Sequence, residues 1–261
     1  MRQQTIFTGH DGVSELFNQF RTSQGALFHY TSIKSIDSIK SGSELWVTRA
    51  DSFLDKEEIK YGLNVFRSVS EEITTDKDKE FINKYLLNIE EYLQSTYVLS
   101  LTSISSDKYL LDNYGAYVIE LCENFPTLLG CTAWHSIPSG DCYTNHYFID
   151  HYEKVEGYVI YDYSKQIEIS NMVISTILNM LKKDTHVIDV YHMRKIFIMC
   201  MTLFKHSKYR KENEYRVSII RNTKNPSQDF NEKRNNSKKH YIKAIIPGLH
   251  QKCIVNINNI R

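Results

Sequence analysis

The stretch Glu212-Asn213-Glu214-Tyr215-Arg216 runs directly into Val217-Ser218-Ile219-Ile220. Residues branched at Cβ favour extended backbone, so the sequence predicts a strand over Tyr215 to Ile220 with two acids at its mouth. Side chains two apart share one face of a strand, which places Glu212 and Glu214 in one cleft. Arg216 follows on the same face. It is suited to pair with Glu214 or to bind a pyrophosphate through its planar guanidinium. The plainer alternative is a solvated face on which Lys208, Arg210 and Lys211 neutralise the acids.

Far upstream, Ala26-Leu27-Phe28-His29-Tyr30 reads as a strand. Thr31 or Ser32 then caps a helix over residues 33–40, where Ile33, Ile36 and Ile39 recur every three residues and Gly42 ends the run. Between these two landmarks the sequence predicts strands over Leu45–Thr48, Tyr97–Thr102, Tyr117–Cys122 and Tyr158–Tyr161. It predicts helices from the Ser52–Glu58 loop to about residue 70, over 77–95, over 164–183 and, strongly apolar, over 188–208. Tyr109–Tyr114 reads as a helical turn and Gly12–Phe20 as a short amphipathic helix. Residues 123–157 look irregular and 222–240 form a polar, Lys/Asn-rich loop. Strands over Tyr241–Ile246 and Cys253–Ile257 close the chain. Strands and helices do not alternate regularly, so the order predicts an α+β fold rather than a doubly wound sheet.

With 261 residues, 41% hydrophobic and 24% charged, the chain can bury one full core and is not expected to be disordered. A formal charge of +1 argues against a surface built throughout for nucleic acid. The first residues lack the apolar core of a signal peptide. The apolar run Ile196–Phe204 is too short to span a membrane, so a cytoplasmic protein without membrane contact is expected. Five cysteines without framework spacing fit a reducing compartment.

Two acids held together raise one pKa and leave the other ionised, which suits orienting a ribose and stabilising a cationic sugar transition state. His29, at a strand end before a helix N-terminus, is either a structural hydrogen-bonding residue or a group aimed at a ribose hydroxyl or an amide. Cys131, His135, Cys142 and His146 are of zinc-ligand type. Their C-x3-H-x6-C-x3-H spacing matches no familiar finger, so no metal is expected. Cys122, Cys200 and Cys253 sit in apolar runs and read as buried. The Lys233-Arg234 and Lys238-Lys239 pairs read as a solvated loop. There is no P-loop, G-x-G-x-x-G or G-x-S-x-G.

The chain resembles a widespread bacterial family known only as a domain of unknown function. That resemblance rests on His29-Tyr30-Thr31-Ser32; Leu45-Trp46-Val47; Phe53 with Asp55 and Glu58; Ser100-Leu101-Thr102-Ser103; Tyr114-Gly115; and Lys205, Tyr209, Glu212, Glu214, Tyr215 and Arg216. Leu111 stands where the family has a tryptophan, so a stacking contact is not carried over there. The family in turn resembles ADP-ribosyltransferase folds, especially DNA-modifying toxins. This implies a single domain over 1–261 with helical insertions at about 55–95 and 164–208, and a split β-sheet core that grips NAD as substrate. By the same resemblance His29 would be catalytic, holding the nicotinamide-side ribose or amide; Tyr30, Thr31, Tyr114 and Arg216 would border the NAD pocket, and Ser100 and Ser103 would support the neighbouring strand and the cofactor. Glu214 would be catalytic and Glu212 would position the acceptor. The implied activity is transfer of ADP-ribose from NAD to a nucleic acid or protein, in a toxin or phage-defence effector with a neutralising or regulatory protein partner. The alternatives are a non-catalytic module binding a nucleotide or ADP-ribose and acting through a partner, or an NAD glycohydrolase.

Overall fold

Ser32 turns the chain from strand to helix. Its Oγ accepts the Ser35 amide at 3.3 Å and its carbonyl accepts the Ile36 amide at 3.1 Å, satisfying donors that a helix start leaves orphaned. Before it runs β1 (Leu27–Thr31) and after it α1 (Ile33–Gly42), whose Ile36 and Ile39 are buried while Ile33 is exposed.

The structure is a computed structural model. It describes residues 25–42, 44–53, 55–73, 75–83, 93–94, 96–121, 133–139, 142–148, 152–182, 197–198, 200–221, 233–234, 240–245 and 254–259. After α1 come β2 (Glu44–Arg49), α2 (Lys56–Ile73), α3 (Asp76–Phe81), β3 (Thr96–Thr102), α4 (Lys108–Tyr114) and β4 (Tyr117–Leu121). Then follow β5 (Ala133–Ser139), β6 (Cys142–Phe148), β7 (Tyr152–Tyr158) and α5 (Tyr163–Lys182). Residues 197–198 and 200–203 are helical, and a 3-10 helix, Ser207–Glu212, leads into β8 (Glu214–Arg221). The remaining strands are β9 (Lys233–Arg234), β10 (His240–Ile245) and β11 (Ile254–Asn259).

All paired strands run antiparallel, in one nine-stranded sheet and a separate β5–β6 pair. The chain is thus mixed α+β, as its irregular element order predicts. β3 is the hub. One edge pairs with β8 along its whole length, from Thr96 opposite Ile220 to Thr102 opposite Glu214, and β8 passes on to β7. The other edge is shared, with Thr102 paired to Phe28 of β1, and Val98 and Tyr97 paired to Thr48 and Arg49 of β2. The sheet therefore splits beside Ser100 into two arms, β1-β4-β11 and β2-β10-β9.

Strand alternation gives the sheet two different faces. Leu27, Leu45, Val47, Leu99, Leu101, Ile119, Tyr215 and Val217 pack with Ile36 and Ile39 of α1. The reverse face of β3 and β8 is polar, carrying Ser100, Thr102, Glu214, Arg216 and Ser218. A helical layer lies beyond it. Phe66 of α2 meets Phe197 edge-on at 4.7 Å between ring centroids and stacks on Phe204 at 5.7 Å. Ile169, Val173, Ile174 and Ile177 of α5 join the same cluster. The two helical stretches of the sequence therefore pack on each other, and each fully buried large side chain there contributes about 1.5–3 kcal/mol. Gly62 permits the crossing, because a Cβ at that position would lie 2.6 Å from the Met201 Cα.

Three elements differ from the sequence reading. Residues 123–157 contain three strands, whose alternation is masked by mixed aromatic and polar residues and by Pro138, which pairs opposite Tyr143. The helix read over 188–208 has ended by Phe204, where the main chain pairs with Ile160 instead. Ile160 N–H bonds the Leu203 carbonyl at 2.7 Å and Lys205 N–H bonds the Ile160 carbonyl at 3.3 Å. Correspondingly, the strand read over Tyr158–Tyr161 stops at Tyr158. The helix read at Gly12–Phe20, residues 84–92 of the second helix, and most of the 222–240 loop lie outside the described residues. Among the described residues no helix is long and apolar enough to cross a membrane.

Candidate functional site

Asn213 is the corner on which the site turns. Its backbone is left-handed, φ 41°, a conformation that asparagine tolerates better than most residues. The end of β3 clamps it: Thr102 Oγ1 donates to the Glu212 carbonyl at 2.7 Å, and the Asn213 amide donates to Ser103 Oγ. Glu212 thus ends the 3-10 helix and Glu214 begins β8. They do meet, through this corner rather than through strand alternation.

Their meeting point is Lys205. Its Nζ lies 2.6 Å from Glu212 Oε2, 2.9 Å from Glu214 Oε2 and 3.0 Å from Glu58 Oε1. Arg216 closes the ring. Its Nε donates to Glu214 Oε1 at 2.7 Å, Nη2 to Glu214 Oε2 at 3.0 Å and also to Glu58, and Nη1 to the Thr202 carbonyl at 2.8 Å. Arg216 has no exposed surface, and Lys205, Glu212 and Glu214 retain 3–4%. Removing each ion from water costs several kcal/mol, which only close opposite charges and multiple hydrogen bonds offset. Three carboxylates face two cations, leaving one formal negative charge in excess.

Burial alone would raise the Glu214 carboxyl, but Arg216 and then Lys205 reverse this and hold it down at about 2. Burial opposes the charge on Lys205, and Glu214, Glu58 and Glu212 outweigh it, so the ammonium is held above its ordinary range. Glu214 is therefore a fixed anion near neutral pH and not a proton shuttle.

Tyrosines form the rim. Tyr109 and Tyr114 of α4 both hydrogen-bond Glu212, the former at 3.4 Å, and their rings are 37% and 48% exposed. Burial and the Glu212 charge push both phenols up. Tyr161 OH accepts the Glu214 amide at 3.0 Å. Tyr209 donates to Asp55 Oδ2 at 2.9 Å, with the Lys205 and Lys208 ammonium groups 4.8 and 4.7 Å from its ring centroid. Gly115 seats the end of α4 against β1: with φ at +126°, an added Cβ would lie 2.3 Å from the Thr31 carbonyl oxygen.

Asp55, Glu58, Tyr114, Lys205, Tyr209, Glu212, Glu214 and Arg216, scattered along the sequence, thus converge. His29 does not join them. Phe28, Thr102 and Glu214 are paired in one rank and share a face, so alternation directs His29 to the other side. Its Nδ1 lies 3.2 Å from the Ser100 carbonyl, where the sheet splits. Burial lowers its pKa and the Ser100 bond partly restores it. Tyr30 packs on Leu110 and Val118 beneath α4. Thr31 is buried and its carbonyl backs Gly115. Ser100 bonds the Glu214 carboxylate and Ser103 holds Asn213, so both serve the carboxylate strand. Arg216 is engaged on all three nitrogens by the protein itself.

Sequence reasoning assigned no role to Glu58, Lys205, Tyr161 or the Thr202 carbonyl. Glu58 and Lys205 do stand among the residues of the resemblance, and a further signal is a lysine closing an otherwise apolar run, Ile196 to Phe204, where a buried charge has to be paired. In the β5–β6 ladder His135 pairs with His146 and Ser139 with Cys142. Cys131 and the side chains of His135, Cys142 and His146 lie outside the described residues, among which no metal-capable cluster occurs. Cys200 is buried and its thiol is pushed well up, which disfavours the thiolate. No family model, curated protein or solved structure matches the chain.

Proposed function

We propose that the chain transfers ADP-ribose from NAD to a macromolecular acceptor, nucleic acid or protein, with the carboxylate cluster around Lys205 as the reacting site. The observation that carries this reading is the excess negative charge of Glu58, Glu212 and Glu214 over Lys205 and Arg216 in a nearly dry site. Cleaving the nicotinamide–ribose bond of NAD moves positive charge onto the sugar. A preorganised anion stabilises that charge far better in a low-dielectric site than in water. In this reading Glu214, fixed in the charged form, supplies the field. Glu212, beneath the exposed Tyr109 and Tyr114, takes the ribose hydroxyl or the acceptor. Lys205 and Arg216 hold the carboxylates in place. His29 keeps β1 on β3 and does not contact the sugar. The splitting of the sheet at β3 supports an ADP-ribosyltransferase-like core, and the resemblance extends the reading to a toxin or defence effector with a neutralising partner.

The test is NAD turnover and acceptor labelling with tagged NAD in cell extract, comparing the wild type with Glu214→Gln and Glu212→Gln. Equal rates in all three sink the assignment. Free ADP-ribose without labelled acceptor identifies a hydrolase. A second reading, a non-catalytic module that binds ADP-ribose, draws support from the engagement of every cluster carboxylate by Lys205 or Arg216. Calorimetric binding of ADP-ribose by a protein that turns over no NAD identifies it.

A further inference from the structure

Gln166, in the first turn of α5, is fully buried beside an apolar helix face, yet its whole amide is in use. Nε2 donates to the Ile160 carbonyl at 2.5 Å and to the Lys205 carbonyl at 3.0 Å, and Oε1 accepts from Tyr61 OH at 3.0 Å. The Ile160 carbonyl also accepts the Lys205 amide. Both backbone polar groups of Lys205 are therefore fixed by Ile160 and Gln166. We propose that Gln166, steadied by Tyr61, is the positioning residue that aims Lys205 at Glu58, Glu212 and Glu214.

The geometry explains why an amide is needed. Lys205 follows the last helical residues and has left regular structure, so no helix or strand ladder holds its carbonyl. A side chain on a flexible four-carbon stem meets three carboxylates within 3.0 Å only if its backbone is held still. The donor pair of Gln166 holds it from α5, and Tyr61 extends the restraint to α2, the helix that carries Glu58. One amide thereby ties the segment that supplies the Lys205 ammonium to α2, which supplies the Glu58 carboxylate.

This inference rests on the proposed reaction only for its rate readout. The full chain is labelled with carbon-13 at glutamate carboxylates, and Glu214 is titrated by NMR in wild type, Gln166→Met, Gln166→Asn, Tyr61→Phe and Val173→Ala. The charges facing Glu214 in these titrations are Lys205, Arg216, Glu58 and Glu212. Gln166→Met is expected to raise the Glu214 midpoint by about one unit and to slow NAD cleavage roughly tenfold. Gln166→Asn and Tyr61→Phe are expected to move both in the same direction by less. Val173→Ala loosens the α5 core and should leave the midpoint at the wild-type value. If Gln166→Met does not fold, Gln166→Asn and Tyr61→Phe decide. A wild-type midpoint in every folded Gln166 and Tyr61 variant, or an equal shift in Val173→Ala, overturns the proposal. A shifted midpoint in a protein that never cleaves NAD removes the enzymatic reading and keeps the positioning role.

Discussion

Arg216 and Glu214 stand two residues apart on β8 and close a two-point contact, Nε to Oε1 at 2.7 Å and Nη2 to Oε2 at 3.0 Å. Neighbours on one strand face rarely form a bidentate pair without help. Here the Thr202 carbonyl and Glu58 hold the far end of the guanidinium, so the fork is pinned across its whole plane. The pair is thus part of the junction between sheet and helical layer as well as of the candidate site.

Arg216→Met is expected to destabilise the fold by about 3–5 kcal/mol, because Glu214 and Glu58 stay buried with one cation fewer. Arg216→Lys keeps the charge and loses the fork, so its cost should be smaller but clear. Urea unfolding at neutral pH reads both. A loss below about 1 kcal/mol for the methionine variant contradicts a fully desolvated pair.

Glu214 also sets an acid limit. Its folded pKa, about 2, lies below the ordinary 4.5. The stabilisation it contributes is present above pH 4.5 and lost as pH falls toward 2, by about 3 kcal/mol in all. Lys205, held above its ordinary 10.5, contributes below that value and loses its share only at higher pH. Neither affects the neutral range. Denaturation midpoints measured from pH 6 to pH 2 should fall for the wild type, and Glu214→Gln should flatten that limb. An unchanged slope in the variant assigns the acid sensitivity elsewhere.

Much of this arrangement was legible in the sequence, for identifiable reasons. β8 announced itself through Val217, Ile219 and Ile220, and α1 through Ile36, Ile39 and the Ser32 cap, because local propensity and tertiary packing agree there. The acid pair was found for an incomplete reason, since nothing local reveals that Asn213 takes a left-handed corner. The end of the helical stretch at 200–203 was hidden because a tertiary contact, Ile160 with Phe204, overrides a continuing apolar pattern. The resemblance puts His29 with Glu214, and both do lie near strand ends. Which face a residue takes depends on register with β3, and register is not written in either strand alone.

Gly115→Ala tests how α4 is seated. The added methyl meets the Thr31 carbonyl oxygen at 2.3 Å, a backbone atom that cannot swing away, at a φ of +126°. A cost of roughly 2–3 kcal/mol is expected. Because α4 carries Tyr109 and Tyr114, ligand binding should weaken beyond what the stability loss explains. Thermal melts beside NAD titrations separate the two, and a melt within about 1 °C of wild type removes the steric account.

Tyr109→Phe with Tyr114→Phe removes both hydroxyls from Glu212 while leaving the exposed rings in place. Stability should fall by no more than about 2 kcal/mol, since both side chains are partly exposed and their rings stay in place. Under the proposed function, NAD turnover should drop roughly tenfold or more, because Glu212 loses the groups that orient it. Turnover equal to wild type would take the tyrosine rim out of the reaction.

His29 provides the sharpest contrast with the cluster. Burial depresses its pKa below 6.5, so the folded state favours the neutral ring. Its contribution to stability is present above pH 6.5 and is lost as pH falls through the lowered folded value. His29→Gln retains a polar group for the Ser100 carbonyl and should remove the part of the stability loss that sets in as pH falls below 6.5. Because alternation directs His29 away from Glu214, the same variant should leave the Glu214 titration at its wild-type midpoint. Denaturation midpoints followed downward from pH 7 and the carboxylate titration check each half. A Glu214 midpoint displaced by His29→Gln would mean that the two residues share one site through the split in the sheet, and would return His29 to the reacting group.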